Sequence, residues 1–219
     1  MEGHPEDIVP CLRCSNCYHI SSDHWNVGCS VNPRYHHQEF VPSEINLPKA
    51  ETKKHVVILG GGPAGMKAAI TASDRGHKVT IIEKQKELGG MLRFISKEAH
   101  KEEVQRLLDY YLTQIFKREI EVLLNTEADP ELVKELQPDS LLIAFGAVER
   151  ILPIPGVEGE KVQLATKAIA HPEQLGQNIV ILGGGSIGCE IGLELAENGK
   201  NVTTVSYTHL RAHETTLHL

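Results

Sequence analysis

Short apolar runs alternate along the chain with longer stretches of helical period. His55–Leu59 and Lys78–Ile82 are compact runs rich in Val and Ile. Runs of this length read as strands of a parallel sheet, buried on both faces. Between them, Pro63–Asp74 has the length of a helix, with Pro at its first position and Gly76 just past its end. Val104, Leu107, Leu108, Tyr111, Leu112, Ile115 and Phe116 step i, i+3, i+4, i+7, i+8, i+11, i+12. That step predicts an amphipathic helix over 97–118 with the stripe on the core. Residues 120–124 predict a strand, Pro130–Leu136 a short helix, and 141–145 another strand that ends at Gly146. Pro153, Pro155 and Gly156 punctuate a crossing between lobes. Residues 178–205 then repeat the opening order of strand, loop, helix and strand. Residues 1–50 show neither period, and Asn32-Pro33, Pro42 and Pro48 mark an irregular linker.

The loop after the first strand carries Gly60, Gly62 and Gly65 at G-x-G-x-x-G spacing. Gly60 permits the tight turn, Gly62 lets a pyrophosphate approach the backbone, and Gly65 lets helix and strand pack closely. The helix N-terminus offers free N–H groups and a positive dipole end to phosphates. Glu83 lies 23 residues after Gly60, where an acid can accept hydrogen bonds from a ribose diol. A glycine-rich turn in an ordinary α/β domain is the competing reading. Strand, loop, helix, strand and acid together within residues 55–83 weigh against it. Gly183, Gly185 and Gly188 repeat the spacing in the same context. Two such fingerprints imply two dinucleotides, and so electron transfer between them. The fold class expected is α/β, with two Rossmann-like dinucleotide-binding βαβ units. Cys189, on the second helix, is expected to be a small buried residue. Gly89 and Gly90 follow the first unit, either as a sharp turn or as a close approach to ligand.

Composition narrows the field. A net charge of −7 and a pI near 5.9 argue against a nucleic-acid or anionic-membrane partner. No apolar run approaches the ~20 residues that span a bilayer. The N-terminus, MEGHPEDIVP, is acidic and polar, unlike a secretory signal, so a cytoplasmic location is expected. Four of the five cysteines, Cys11, Cys14, Cys17 and Cys29, crowd into the first 29 residues as C-x2-C-x2-C-x11-C. Without a secretion signal this favours metal ligation over disulfides. Three thiolates within seven residues can wrap one corner of a 4Fe-4S cubane, and a fourth completes it. Zinc, which prefers two separated pairs, and unligated cysteines are the alternatives. His19, His24, His36 and His37 lie nearby and read as polar loop residues.

The stretches EDIVPCLRCSNC, CSVNP, VVILGGGPAGMKAA, IIEKQKELGGML, LLIAFGAVERILPIPG and IVILGGGSIGCEIG resemble the rear half of the old yellow enzyme-like iron–sulfur flavoproteins. That group includes 2,4-dienoyl-CoA reductase, 2-enoate reductase and trimethylamine dehydrogenase. The resemblance implies that Gly60, Gly62, Pro63, Ala64, Gly65, Glu83, Lys84, Gly89, Gly90, Met91 and Gly146 contact FAD. It implies that Gly183, Gly185, Ser186, Ile187 and Gly188 hold NAD(P), and that Cys11, Cys14, Cys17 and Cys29 ligate the cluster. No catalytic residue is expected here, because in the family an FMN-bearing (β/α)8 barrel ahead of the cysteines supplies the chemistry. The activity implied for the parent protein is reduction of an activated C=C bond. Two alternatives are a stand-alone FAD/NAD(P) electron-transfer subunit, as in glutamate synthase, and a non-catalytic redox sensor.

The domains expected are a cluster segment and linker over 1–50, the first part of an FAD domain over 51–159, and the start of an NAD(P) domain over 160–205. From Ser206 the chain reads SYTHLRAHETTLHL, without apolar period, and resembles translated sequencing-adapter read-through. Residues 206–219 are expected to be non-native, and the chain is expected to be a fragment that does not turn over by itself. A small-molecule substrate is expected for the parent, and a homo-oligomer is left open.

Overall fold

The structure is a computed structural model that describes residues 3–18, 28–98 and 100–206. It divides into two compact units: residues up to Ser96 with Lys101–Ala147, and Lys97–His100 with the chain from Val148.

The first unit is built on a four-stranded parallel sheet. Its strands are β1 (His55–Leu59), β2 (Lys78–Ile82), β3 (Ile120–Leu123) and β4 (Ser140–Ile143), in the order β3-β2-β1-β4. β1 and β2 pair in register from His55↔Lys78 to Leu59↔Ile82. Successive side chains point to opposite faces, so each strand feeds two cores. Ile58, Val79 and Ile81 pack with Met66 and Ile70 of α1 (Pro63–Asp74). Leu107, Leu108, Tyr111 and Ile115 complete that core from α3 (Glu102–Phe116), which follows the four-residue α2 (Leu92–Ile95). On the other face, Val57, Leu59 and Ile82 meet Leu132, Val133 and Leu136 of α4 (Pro130–Leu136). Asp129 caps α4 by accepting from the Leu132 N–H at 2.7 Å. Thr80 is fully buried on this second face and has partners: its hydroxyl donates to Glu121 Oε2 (2.8 Å) and lies 2.9 Å from His55 Nε2.

The second unit holds α5 (Ala165–Ala170) and a parallel pair, β5 (Asn178–Leu182) and β6 (Asn201–Val205), joined by α6 (Ser186–Glu197). Its pairing, Asn178↔Asn201 to Leu182↔Val205, reproduces that of β1 and β2 residue for residue.

Three expectations need correction. The long helix runs from Glu102, not from residue 97, because His100 adopts φ +65° and Lys101 is not helical. It stops at Phe116, and the chain turns tightly where the Ile120 N–H donates to Arg118 O (2.8 Å). Phe116 (91% exposed) and Leu112 (38%) leave the core stripe, while Tyr110 and Gln114 join it. Nine residues at about 100° each put Phe116 about half a turn from Leu107, on the solvent side. Cys189 is exposed rather than buried, and its thiol faces Gly184 O at 3.6 Å. Residues 1–50 carry only two single 3-10 turns, Pro5–Asp7 and Glu44–Asn46, among the described residues. Of the expected loop histidines, His36 and His37 are exposed; His19 and His24 lie outside the described residues, as does 207–219 of the tail.

Candidate dinucleotide and cysteine sites

The three glycines of the first loop serve three different needs. Gly60 sits at φ +107°, its N–H donates to Ile82 O (2.8 Å), and a Cβ there would overlap the Ala144 carbonyl. A Cβ on Gly65 would overlap the Gly60 carbonyl oxygen and lie 3.4 Å from Ile58 Cγ2. Gly62 differs: its backbone is ordinary (φ −73°, ψ −177°), and a Cβ would enter open space. Open space therefore lies beside Gly62, where the sequence leads one to expect a pyrophosphate. Pro63 and Ala64 open α1, whose first turn carries no acid and whose N-cap has no side-chain bond. No acid of its own first turn compensates the positive end of the helix.

Glu83 is 7% exposed and both its oxygens are engaged. Oε2 accepts from the Gly61 N–H at 2.7 Å and Oε1 from the Gln85 N–H at 2.8 Å. Each oxygen keeps lone-pair capacity for a ribose hydroxyl. Lys84 beside it is exposed. Gly89 and Gly90 take φ +121° and +52°, so the chain turns sharply there. The Gly89 N–H donates to Gly61 O (2.8 Å), and a Cβ on Gly90 would lie 3.0 Å from Gly62 Cα. The two glycine loops thus lie against each other, with Met91 partly exposed at the start of α2. Gly146, at φ +74°, lies beside open space three residues past Ile143, where β4 ends, so the strand stops short of the expected residue 145. The G-x-G-x-x-G spacing does not single out Gly61. A Cβ there would overlap Leu88, which is buried and closes this loop pair. The run of three glycines, 60–62, was the available signal.

The second loop repeats the arrangement. Gly183 has φ +125° and donates to Val205 O at 2.8 Å. Gly185 has φ −77°, ψ −178°, with open space at its Cβ position. A Cβ on Gly188 would overlap the Gly183 carbonyl oxygen and lie 3.4 Å from Ile181 Cγ2. Ser186 and Ile187 form the first turn of α6, again without an acid. Ser206 stands where Glu83 stands in the first unit: a Cβ on Gly184 would lie 2.8 Å from Ser206 Cβ.

The cysteine loop is wound by two left-handed residues, Arg13 (φ +51°) and Ser15 (φ +57°). Cys11, Cys14 and Cys17 are exposed, Cys29 is half-buried, and none is in a disulfide. The Arg13 N–H donates to Cys11 Sγ (3.4 Å), and Asn16 Nδ2 donates to Gly28 O (3.3 Å), tying the loop to the segment that carries Cys29. Cys14 Sγ lies 3.3 Å from Ser30 Oγ. That hydroxyl first, and then the Asn16 N–H, holds the Cys14 thiol below its ordinary range. Hydrogen bonds to sulfur of this kind favour the thiolate that metals and clusters require. Among the described residues, no three of these thiols come within 4.8 Å of one another.

The pyridine nucleotide-disulphide oxidoreductase family matches residues 54–214, a span that runs past Ser206. Cinnamate reductase of Clostridium sporogenes is 37% identical over 91% of this chain and 29% of its own length. The NADPH glutamate synthase small chain of Mycobacterium tuberculosis is 30% identical over 65% of this chain and 33% of its own. A solved 2-naphthoyl-CoA reductase superposes with a TM-score of 0.84 at 35% identity, over 93% of this chain and 31% of that one. The chain therefore spans about a third or less of each of these relatives. It belongs to the pyridine nucleotide-disulphide oxidoreductase family of FAD- and NAD(P)-binding enzymes, and corresponds to the FAD/NAD part of the 2-enoate reductase and old yellow enzyme-like flavoproteins.

Proposed function

We propose that this chain is the electron-entry part of a longer NAD(P)H-dependent iron–sulfur flavoprotein that reduces an activated C=C bond of an enoate or acyl-CoA. The observation that carries the reading is the pairing of two glycine loops of one geometry with a C-x2-C-x2-C loop ahead of them. When bound, NAD(P)H would supply hydride to FAD, and a 4Fe-4S cluster would pass single electrons towards FMN held elsewhere in the parent. In this chain Gly62, Ala64 and Gly65 would seat the FAD pyrophosphate, Glu83 would accept from its ribose, and Gly89, Gly90 and Gly146 would line its approach. Gly185, Ser186, Ile187 and Gly188 would hold the NAD(P) pyrophosphate. Cys11, Cys14, Cys17 and Cys29 would carry the cluster.

Anaerobic reconstitution tests this. About four iron per chain, with broad visible absorption, is the expected result for one Cys-ligated cubane. Cys14→Ser should lose the iron, and Cys189→Ser should keep it. Stoichiometric zinc without that absorption would overturn the cluster assignment. The likeness to a glutamate synthase small chain supports a second reading, a separate electron-transfer subunit. A barrel encoded in frame upstream of Met1 would exclude it.

A further inference from the structure

We propose that Glu103 is a positioning residue that fixes the cysteine loop on the dinucleotide-binding unit, with α3 as the bar that carries both. The inference rests on the reading of that loop as a cluster site. Arg13 lies inside the C-x2-C-x2-C loop and forms an ion pair with Glu103 in the first turn of α3. The Glu103 side chain is only 13% exposed while that of Arg13 is 71% exposed, so the acid is the anchored partner. A second attachment lies further along the same helix. Gln114 Nε2 donates to Asp7 Oδ1 (2.7 Å) and Glu6 O (3.3 Å), and Lys117 Nζ donates to Asp7 Oδ1 (2.7 Å).

Positions 103, 110, 114 and 117 share one side of a helix, and 103 and 114 are about 16 Å apart along its axis at 1.5 Å per residue. Two attachments that far apart set orientation as well as place. About 140° round α3 from Glu103, Leu108 packs under the Gly89 loop: a Cβ on Gly89 would lie 2.7 Å from Leu108 Cδ1. One helix therefore touches the cysteine loop through Glu103 and the dinucleotide loop through Leu108. Arg13 needs holding, because a non-glycine residue at φ +51° is in a disfavoured backbone region. Leu12 and Val9, which pack on the core beside it, are apolar contacts that do not choose a rotation of the loop.

The test compares Glu103→Gln, Arg13→Gln and Arg13→Lys in the full chain by hydrogen exchange of the amides over residues 11–18. Loss of a clamp should speed exchange at least fivefold in both Gln variants, with Arg13→Lys near wild type. A purely electrostatic effect would drive the two Gln variants in opposite directions, since one removes a negative charge and the other a positive one. After reconstitution, the EPR signal of the reduced chain should change shape in both Gln variants at unchanged iron content. ADP affinity at the Gly60 loop should stay within twofold of wild type, which reports an intact fold. Unchanged exchange, or opposite changes, would overturn the proposal. A wild-type chain that takes up no iron would sink the cluster reading instead, and the exchange comparison would still decide the clamp.

Discussion

The two glycine loops are the same object in different surroundings. Each makes its turn with a positive-φ glycine bonded to the last carbonyl of the next strand, at 2.8 Å in both. Each leaves the Cβ position of its second glycine open, and packs its third against the first. Yet β1 and β2 bury Val57, Ile58, Val79 and Ile81, while β5 leaves Val180 63% and Leu182 59% exposed. The first loop donates the Gly61 N–H to the buried carboxylate of Glu83, and Ser206 stands at the equivalent place beside the second. The fingerprint is a local backbone solution that a strand, a loop and a helix can carry alone. Burial and the charged partner come from the neighbouring strands and helices.

That comparison is broken most severely at the third glycine. Gly65→Ala places a methyl on the Gly60 carbonyl, which neither backbone can evade without parting α1 from β1. About 4 kcal/mol of stability should be lost, at the upper end of single-site effects. Gly188→Ala has the same overlap, but it lies in a unit with little buried core. It should abolish the second site while moving the main urea transition by less than about 1 kcal/mol. Equal shifts in the two variants would show that the units unfold together, and that their difference in burial has no energetic meaning.

Gly62→Val separates binding from folding. Its backbone suits any residue and its Cβ points into empty space, so stability should change by less than about 1 kcal/mol. ADP or FAD binding should fall at least about 100-fold, roughly 3 kcal/mol, because the branched side chain occupies the pyrophosphate position. Gly185→Val should do the same to NAD(P)H and leave ADP binding at the first loop alone. Titration calorimetry with each nucleotide decides it. Unimpaired ADP binding by Gly62→Val would refute the assignment of this loop to a nucleotide.

The local elements were legible. His55–Leu59, Pro63–Asp74, Lys78–Ile82 and Pro130–Leu136 appear at the bounds their residues predict, and Gly60 and Gly65 have the steric need their spacing implies. What was not legible depends on partners distant in sequence. Nothing in the apolar step of α3 shows that the core faces Tyr110 and Gln114 rather than Phe116, because that depends on what the Pro5–Asp7 turn brings against it. Cys189 was misplaced for the same reason, since helix composition does not reveal whether a neighbour covers the helix. The contact of Gly90 with Gly62 is likewise tertiary, and a pair of adjacent glycines does not name its partner.

Glu83→Ala sharpens the contrast in charge. It removes the acceptor of two backbone N–H groups, that of Gly61 buried, as well as the proposed ribose contact. Affinity for ADP should fall by about 1–3 kcal/mol, and stability by a similar amount from the unpaired Gly61 and Gln85 donors. Glu83→Gln keeps an acceptor oxygen and should recover part of the stability but less of the affinity. If Glu83→Ala bound ADP as tightly as wild type, the acid would be structural, and the absence of one at Ser206 would carry no functional contrast.

The smallest effect expected is in the polar clasp that joins the Pro5–Asp7 turn to α3. A bond from its own backbone N–H, then bonds from His4 and Lys117, hold the Glu6 carboxyl down at about 2. Lys117 and then Gln114 hold Asp7 below its usual range, and Asp7 in turn raises Lys117. A carboxylate with a depressed pKa stabilises the folded state above its unfolded value, and that contribution disappears as pH falls through the folded one. The clasp should therefore be intact at pH 5 and fade between about pH 4.5 and 2. Lys117 adds an alkaline limit, because a raised ammonium pKa contributes below its ordinary value and is lost as pH rises through the folded one. All these groups are at the surface, so 1 M salt should weaken the clasp at neutral pH as well. The clasp lies in the first unit, so its loss in acid should act there first. Hydrogen exchange corrected for its intrinsic pH dependence should show protection over residues 5–18 falling from pH 5 to pH 2.5, while protection in α6 stays level. Parallel loss in both segments would mean that acid unfolds the chain as a whole and that the clasp has no separate existence. A flat response in residues 5–18 would mean that the apolar contacts of Val9 and Leu12 hold the segment without it.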